Sequence, residues 1–198
     1  MSFANDKTVI GLTGGIACGK SSALQIFKDL GWGTLSTDRI VADLISTNES
    51  VIEKLSIRWG RAVLSVNNEV VKGSIADIIF NDEEERVWLE ELLHPLVRST
   101  WTRSVESSVA KHLVVEIPLL FEKKLQSLFT YTLSLQCSKS VQIQRLCDRG
   151  LTNGQSNARI KAQLPMDMKS QLADIVLLGE NSLSFLKRQI CIFHARVT

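Results

Sequence analysis

No run of apolar residues in this 198-residue chain approaches the length of a membrane span, which needs about 20. A dense Lys/Arg block is also missing: 23 basic against 21 acidic side chains leave a net charge of +2, so a nucleic-acid backbone finds no matching run of cations. Cysteine is sparse. Cys18, Cys137, Cys147 and Cys191 lie far apart, with no CxxC pair and no Cys/His cluster, which points away from a zinc site or a disulfide framework and toward reduced thiols. The three prolines form no linker, and no internal repeat or low-complexity tract divides the chain. Met1 to Thr8 is short and polar, unlike an export signal. These absences leave a soluble cytoplasmic protein as the expectation, without nucleic-acid or membrane partners. Its 44% hydrophobic content suits one domain with a real core, or one core carrying a small insertion.

What is present alternates short β-rich runs with longer helical patterns. Thr8 to Leu12 reads as a strand, and Lys20 to Leu30 as an amphipathic helix on Leu24, Phe27 and Leu30, with Gly31 just past its end. Further strands are expected at Gly33 to Ser36, Leu113 to Ile117, Tyr131 to Cys137 and Asp174 to Leu178. Their near-continuous apolar runs suit parallel strands covered on both faces, so the fold class is α/β, a five-stranded parallel sheet in three layers. About 75 residues separate the second and third strands, far more than a crossover needs. Within them Asn81 or Asp82 caps a helix that opens on Glu83, Glu84 and Glu85, and Pro95 starts a new helix or kinks this one.

The strongest motif is Gly14–Gly15–Ile16–Ala17–Cys18–Gly19–Lys20–Ser21, a complete G-x4-G-K-[ST] between a strand and a helix. Glycines let successive N–H groups point at phosphate oxygens, and the helix N-terminus adds partial positive charge. Lys20 is expected to bridge the β- and γ-phosphates of ATP, and the Ser21 hydroxyl to ligate Mg2+. Cys18, near a helix N-terminus, is either a reactive thiol or a small side chain at a variable loop position.

Asp38, after the second strand, opens a helical pattern; it is a catalytic base or a helix N-cap, and local sequence leaves both readings open. Glu116, ending the third strand, either holds Mg2+ through water or is a solvated edge carboxylate. Arg145 and Arg149, four residues apart, are read as sharing a helix face that converges on a triphosphate. Gly150, Asn153 and Gly154, then a short helix with Arg159 and Lys161, look like a lid; ordinary solvated helix charges are the alternative reading. His94 forms no ligand cluster, and His112 and His194 carry no functional signal.

Together, Gly11–Leu12–Thr13–Gly14–Gly15–Ile16 with Gly19–Lys20–Ser21, Leu93–His94–Pro95, and Glu116–Ile117–Pro118–Leu119–Leu120–Phe121–Glu122 resemble the dephospho-CoA kinase family. Weaker echoes are Trp59–Gly60, Gly73 to Phe80, and Ala158–Arg159–Ile160 to Gln163–Leu164–Pro165, so the resemblance spans nearly the whole chain. It implies a single P-loop kinase domain over 1–198, with a helical CoA-binding insertion at about 46–111 and a lid at about 145–165. The implied reaction is transfer of the ATP γ-phosphate to the ribose 3′-hydroxyl of dephospho-CoA. The alternatives are another small-molecule P-loop kinase or a non-catalytic ATP-binding regulator.

The resemblance also assigns roles. Asp38 becomes the base, Lys20 and Arg145 stabilise the transferring phosphoryl group, and Gly14 to Ser21 with Arg149 and Arg159 bind ATP. His94, Pro118, Leu119 and Phe121 are expected on the substrate side, and Ser21 with Glu116 at the metal. Three departures stand out: Ser36 where the family has the first acid of Asp-Ala-Asp, Leu177–Leu178–Gly179–Glu180–Asn181 in place of an Asp-Asn-x-Gly turn that frames adenine, and Lys72 for Arg, which keeps charge but loses a bidentate fork.

Overall fold

The computed structural model describes Phe3, residues 6–67 and residues 69–198; residues 1, 2, 4, 5 and 68, which include half of the polar lead, lie outside that description. Five strands, β1 (Thr8–Gly14), β2 (Gly33–Ser36), β3 (His112–Glu116), β4 (Tyr131–Gln136) and β5 (Ile175–Leu178), form one sheet in the order β2-β3-β1-β4-β5. All four pairings are parallel, as the unbroken apolar runs require. The strands match the expected ones within two residues at each end.

Two compact units divide the chain, one of residues 1–36 and 105–198, the other Thr37–Ser104. In the first, α1 (Lys20–Asp29) follows β1, and α6 (Lys139–Cys147), α7 (Asn153–Lys161) and α8 (Met166–Leu172) lie between β4 and β5, with α9 (Leu183–Val197) closing the chain. Side-chain alternation along β1 puts Ile10 and Leu12 against Ala23 and Phe27 of α1 and Leu186, Ile190 and Phe193 of α9, in a core that also takes Val114, Leu133, Leu135 and Leu177. Gly11 faces the other way, where a Cβ would lie 2.5 Å from Leu120 and 2.8 Å from Phe129, so those side chains pack against bare backbone. Trp32 stacks edge-on to Phe27 and donates its indole N–H to His194 Nδ1 at 3.0 Å, which gives His194 a packing role.

The second unit is helical: α2 (Thr37–Thr47), α3 (Glu49–Trp59), α4 (Lys72–Asn81) and α5 (Glu83–Ser107), whose last three residues belong to the sheet unit. It takes in most of the stretch expected as an insertion at about 46–111. Of the two candidate caps, Asp82 does the capping: its Oδ1 accepts from the N–H groups of Glu84 and Glu85, while Asn81 donates back to Asp77 O. Pro95 neither ends nor restarts α5, which runs through it as one helix. Both Pro95 and Glu91, whose carbonyl loses its N–H partner, are exposed, so water satisfies the orphaned oxygen.

Candidate active site

The motif loop is held by close backbone approach on both sides. At Gly14, φ is 139° and a Cβ would lie 2.3 Å from Leu135 O of β4; at Gly179 a Cβ would lie 1.9 Å from Cys18 O. Only glycine fits either place. The turn then passes through positive φ at Ala17 (62°) and Gly19 (98°), and Gly19, as N-cap of α1, contributes no side-chain cap. The N-terminal turn of α1, with its partial positive charge, suits an anion. Lys20 donates its ammonium to Gly14 O at 3.2 Å and Gly15 O at 2.9 Å, which folds the lysine over the loop at its base.

Three side chains from beyond β4 grip the loop's own peptides. Gln142, buried on α6, donates to Ile16 O at 2.8 Å. Arg145, one turn later on the same face, donates to Ala17 O at 3.0 Å. Gln163, after α7, accepts from Ile16 N at 2.9 Å. The segment carrying Gln163 is anchored in turn, because Leu164 N donates to Glu122 Oε1 at 2.9 Å. That carboxylate meets Lys169 Nζ at 2.9 Å, and the fully buried Lys169 also donates to Pro118 O at 2.7 Å. Thr13, one residue before the motif, donates to the same carbonyl. Burial alone would push the Glu122 carboxyl up, but hydrogen bonds from Lys169 and from the Leu164 and Glu122 N–H groups outweigh it, and the net shift is below the ordinary carboxylate value.

The remaining expected residues fall into place unevenly. Arg149 does not share a helix face with Arg145, because α6 ends at Cys147 and the chain turns through Gly150 at φ 89°; Gly150 N and Leu151 N close that turn on Cys147 O and Leu146 O. Arg149 is exposed there, while Arg159 is half-buried on α7. Phe121 is buried and Pro118 and Leu119 are partly exposed. Glu116 is buried at the end of β3, in register with Leu12 and Ser36. Asp38 comes two residues after β2 ends, exposed in the first turn of α2, where its charge is favourable. His94 lies on α5, its side chain exposed, with Nε2 4.0 Å from Glu90. In the helical unit, Lys54, Ile57, Arg58, Trp88, Glu91 and Leu92 line an open groove of about 550 Å³.

Among the described residues no three His, Cys, Asp or Glu side chains gather in a way that could cage a metal ion. Magnesium does not ask for such a cage, since it retains water and takes one or two protein oxygens beside substrate phosphates. The Ser21 hydroxyl, exposed in the first turn of α1, and the Glu116 carboxylate are oxygen donors of the right hardness.

A loop that cradles phosphates names only a broad class of proteins, and the whole chain decides the rest. The sequence profile of dephospho-CoA kinase matches residues 8–184. The chain belongs to the dephospho-CoA kinase family. A dephospho-CoA kinase of Trichormus variabilis is 35% identical over 92% of this chain and 94% of that one. A Thermus thermophilus protein of known crystal structure superposes with a TM-score of 0.82 at 30% identity, over 98% of this chain and 100% of that one. A dephospho-CoA kinase from Campylobacter jejuni, at 23% identity, shares the fold with a TM-score of 0.70 over 96% of this chain and 97% of its own. Ser36, Lys72 and the 177–181 turn all lie inside the matched stretch, so membership of the dephospho-CoA kinase family holds with those departures included.

Gln142, Gln163 and Lys169 were not singled out by their residue types. Gln142 had a usable signal, its spacing of three from Arg145 on one helix. Lys169 had none, because nothing beside it in the chain separates it from a solvated lysine; its partner is Glu122, 47 positions earlier.

Proposed function

We propose that this chain transfers the γ-phosphoryl group of ATP to the ribose 3′-hydroxyl of dephospho-CoA, producing coenzyme A and ADP. The family match over residues 8–184 carries this reading, and the geometry of the 14–21 loop supports its nucleotide half.

In this proposal the loop amides from Ile16 to Ser21 and the N-terminus of α1 hold the ATP phosphates, and Lys20 leaves the Gly14 and Gly15 carbonyls to neutralise charge between the β- and γ-groups. Arg145, already anchored on Ala17 O, offers its remaining N–H groups to the transferring phosphoryl, joined by Arg149 and Arg159. Asp38 takes the proton of the acceptor hydroxyl and aligns that oxygen for in-line attack. Ser21 directly, and Glu116 through water, would hold Mg2+, which when bound offsets charge on the β- and γ-oxygens. Residues 145–165 form the lid, and His94, Pro118, Leu119 and Phe121 serve the CoA portion. Most of the rate enhancement then comes from positioning and charge rather than from covalent chemistry.

A coupled ADP-release assay with Mg-ATP tests the reading when dephospho-CoA is run beside AMP, CMP, adenosine and a no-acceptor control. Turnover with dephospho-CoA alone is the expected result. Turnover with another acceptor would keep the kinase and discard the substrate, and ATP binding without any turnover would leave a regulator.

A further inference from the structure

Two cysteines far apart in sequence meet beneath the phosphate loop. Cys18, the loop residue before Gly19, is 0% exposed, and Cys137, the first residue after β4, is 9% exposed. Their sulfurs lie 3.1 Å apart and share a hydrogen bond, about 1 Å longer than a disulfide bond at about 2.05 Å. Strand register brings them together, since Gly14 pairs with Leu135 and Cys137 follows two residues later. The Gly179 backbone pressed on Cys18 O leaves the loop no room to back away on that side.

Charge around the pair favours one thiolate. Lys20 and Arg145 both bond to loop carbonyls within four residues of Cys18. The Cys137 thiol lies below its ordinary value, through the hydrogen bond from Cys18 first, with burial and Glu180 opposing and Arg145 and Lys20 adding to it. Cys18 is pushed up by the same hydrogen bond and by burial. Low pKa and slight exposure mark the attacking thiol, and the buried partner resolves.

We propose that Cys18 and Cys137 are a redox-sensitive dithiol, oxidised by hydrogen peroxide to a disulfide that takes the phosphate loop out of its nucleotide-binding conformation. The Cys137 thiolate attacks the O–O bond and gains one oxygen as a sulfenic acid, while the other oxygen leaves and is protonated to water. The Cys18 sulfur then displaces that hydroxyl from Cys137, forming the S–S bond and releasing a second water. Two thiols lose two electrons and two protons, and one peroxide becomes two waters. Closing the gap draws Cys18 toward β4 by about 1 Å between Ala17 and Gly19, both already at positive φ. A displacement of that size at the phosphate-facing amides is worth on the order of 100-fold. The effect on nucleotide rests on the function proposed above; the disulfide does not.

The test treats the full chain with hydrogen peroxide, counts thiols after denaturation, maps linked peptides and titrates a fluorescent ATP analogue. The expected results are a fall from four thiols to two, a peptide joining Cys18 to Cys137, and at least a tenfold loss of affinity that dithiothreitol reverses. Cys137→Ala and Cys137→Ser should bind as the untreated protein does and keep that affinity after peroxide, whereas Cys147→Ser and Cys191→Ser should lose it as the parent does. Absence of the joined peptide, a joined peptide with unchanged affinity, or equal loss in Cys137→Ala would overturn the proposal. Affinity of the reduced protein, measured first, reports on the nucleotide reading alone, so the two failures are told apart.

Discussion

The phosphate loop and the groove of the helical unit differ in what holds them. In the loop, backbone groups carry the ligand-facing geometry: Gly14 and Gly179 sit where no Cβ fits, and Gln142, Arg145 and Gln163 fasten individual peptides. In the helical unit, side chains on α3 and α5 wall the groove, with Arg58 over the Trp88 ring at 5.2 Å and paired to Glu85 at 2.9 Å, and with Trp59 edge-on to Trp88 at 5.1 Å. A phosphate is the same in every nucleotide, so a loop that meets it with amides tolerates little change. A groove walled by exposed side chains can be built from many sequences. The contrast predicts large losses from single changes around the loop and small ones around the groove.

The largest loss is expected at Lys20. Lys20→Ala should lower kcat/KM by about three orders of magnitude or more, and Asp38→Asn should lower kcat by roughly two to four orders while ATP affinity is largely kept, in steady-state assays varying each substrate. An Asp38→Asn enzyme of near-normal kcat would remove Asp38 as the base.

Next comes the anchor of the 163–165 segment. Lys169→Met strands the Glu122 carboxylate and should cost about 3–5 kcal/mol in urea unfolding. The same pair sets a pH dependence. Because the Glu122 carboxyl is depressed in the folded chain, its stabilising effect is complete above its ordinary value of about 4.5 and is lost as pH falls through the lower folded value. The parent should therefore lose stability more steeply than Glu122→Gln as pH falls below about 4.5. Parallel curves would mean that the pair does not titrate with unfolding.

Gln142→Ala, which leaves the Ile16 carbonyl without its buried donor, should raise KM for ATP about tenfold with kcat changed less. Arg58→Ala is the smallest: exposed ion pairs contribute little, so its unfolding midpoint should be hard to separate from the parent's and its KM for ATP unchanged. An Arg58→Ala effect on ATP as large as that of Gln142→Ala would erase the contrast between the two regions.

Legibility in the sequence follows the same contrast. Five strands, α1 and the loop were readable because glycine placement, apolar runs and the motif are local signals. Long-range pairings were not: nothing near Lys169 announces Glu122, and nothing near Cys18 announces Cys137, since the sheet order brings them together. Local reading also misplaced two helix boundaries. Pro95 does not start a new helix, since α5 runs through it, and the Arg145–Arg149 spacing was read as helical although Gly150 turns the chain just after Cys147.

The most direct test of the central claim follows the phosphoryl group itself. ATP labelled with heavy oxygen on its γ-phosphate is incubated with Mg2+, dephospho-CoA and the enzyme, and the product is identified by mass and by the position of its new phosphate. The account predicts labelled coenzyme A with the phosphate on the ribose 3′-hydroxyl, formed by the parent and not by Lys20→Ala. Label appearing only in free phosphate, or on any other hydroxyl, would contradict it.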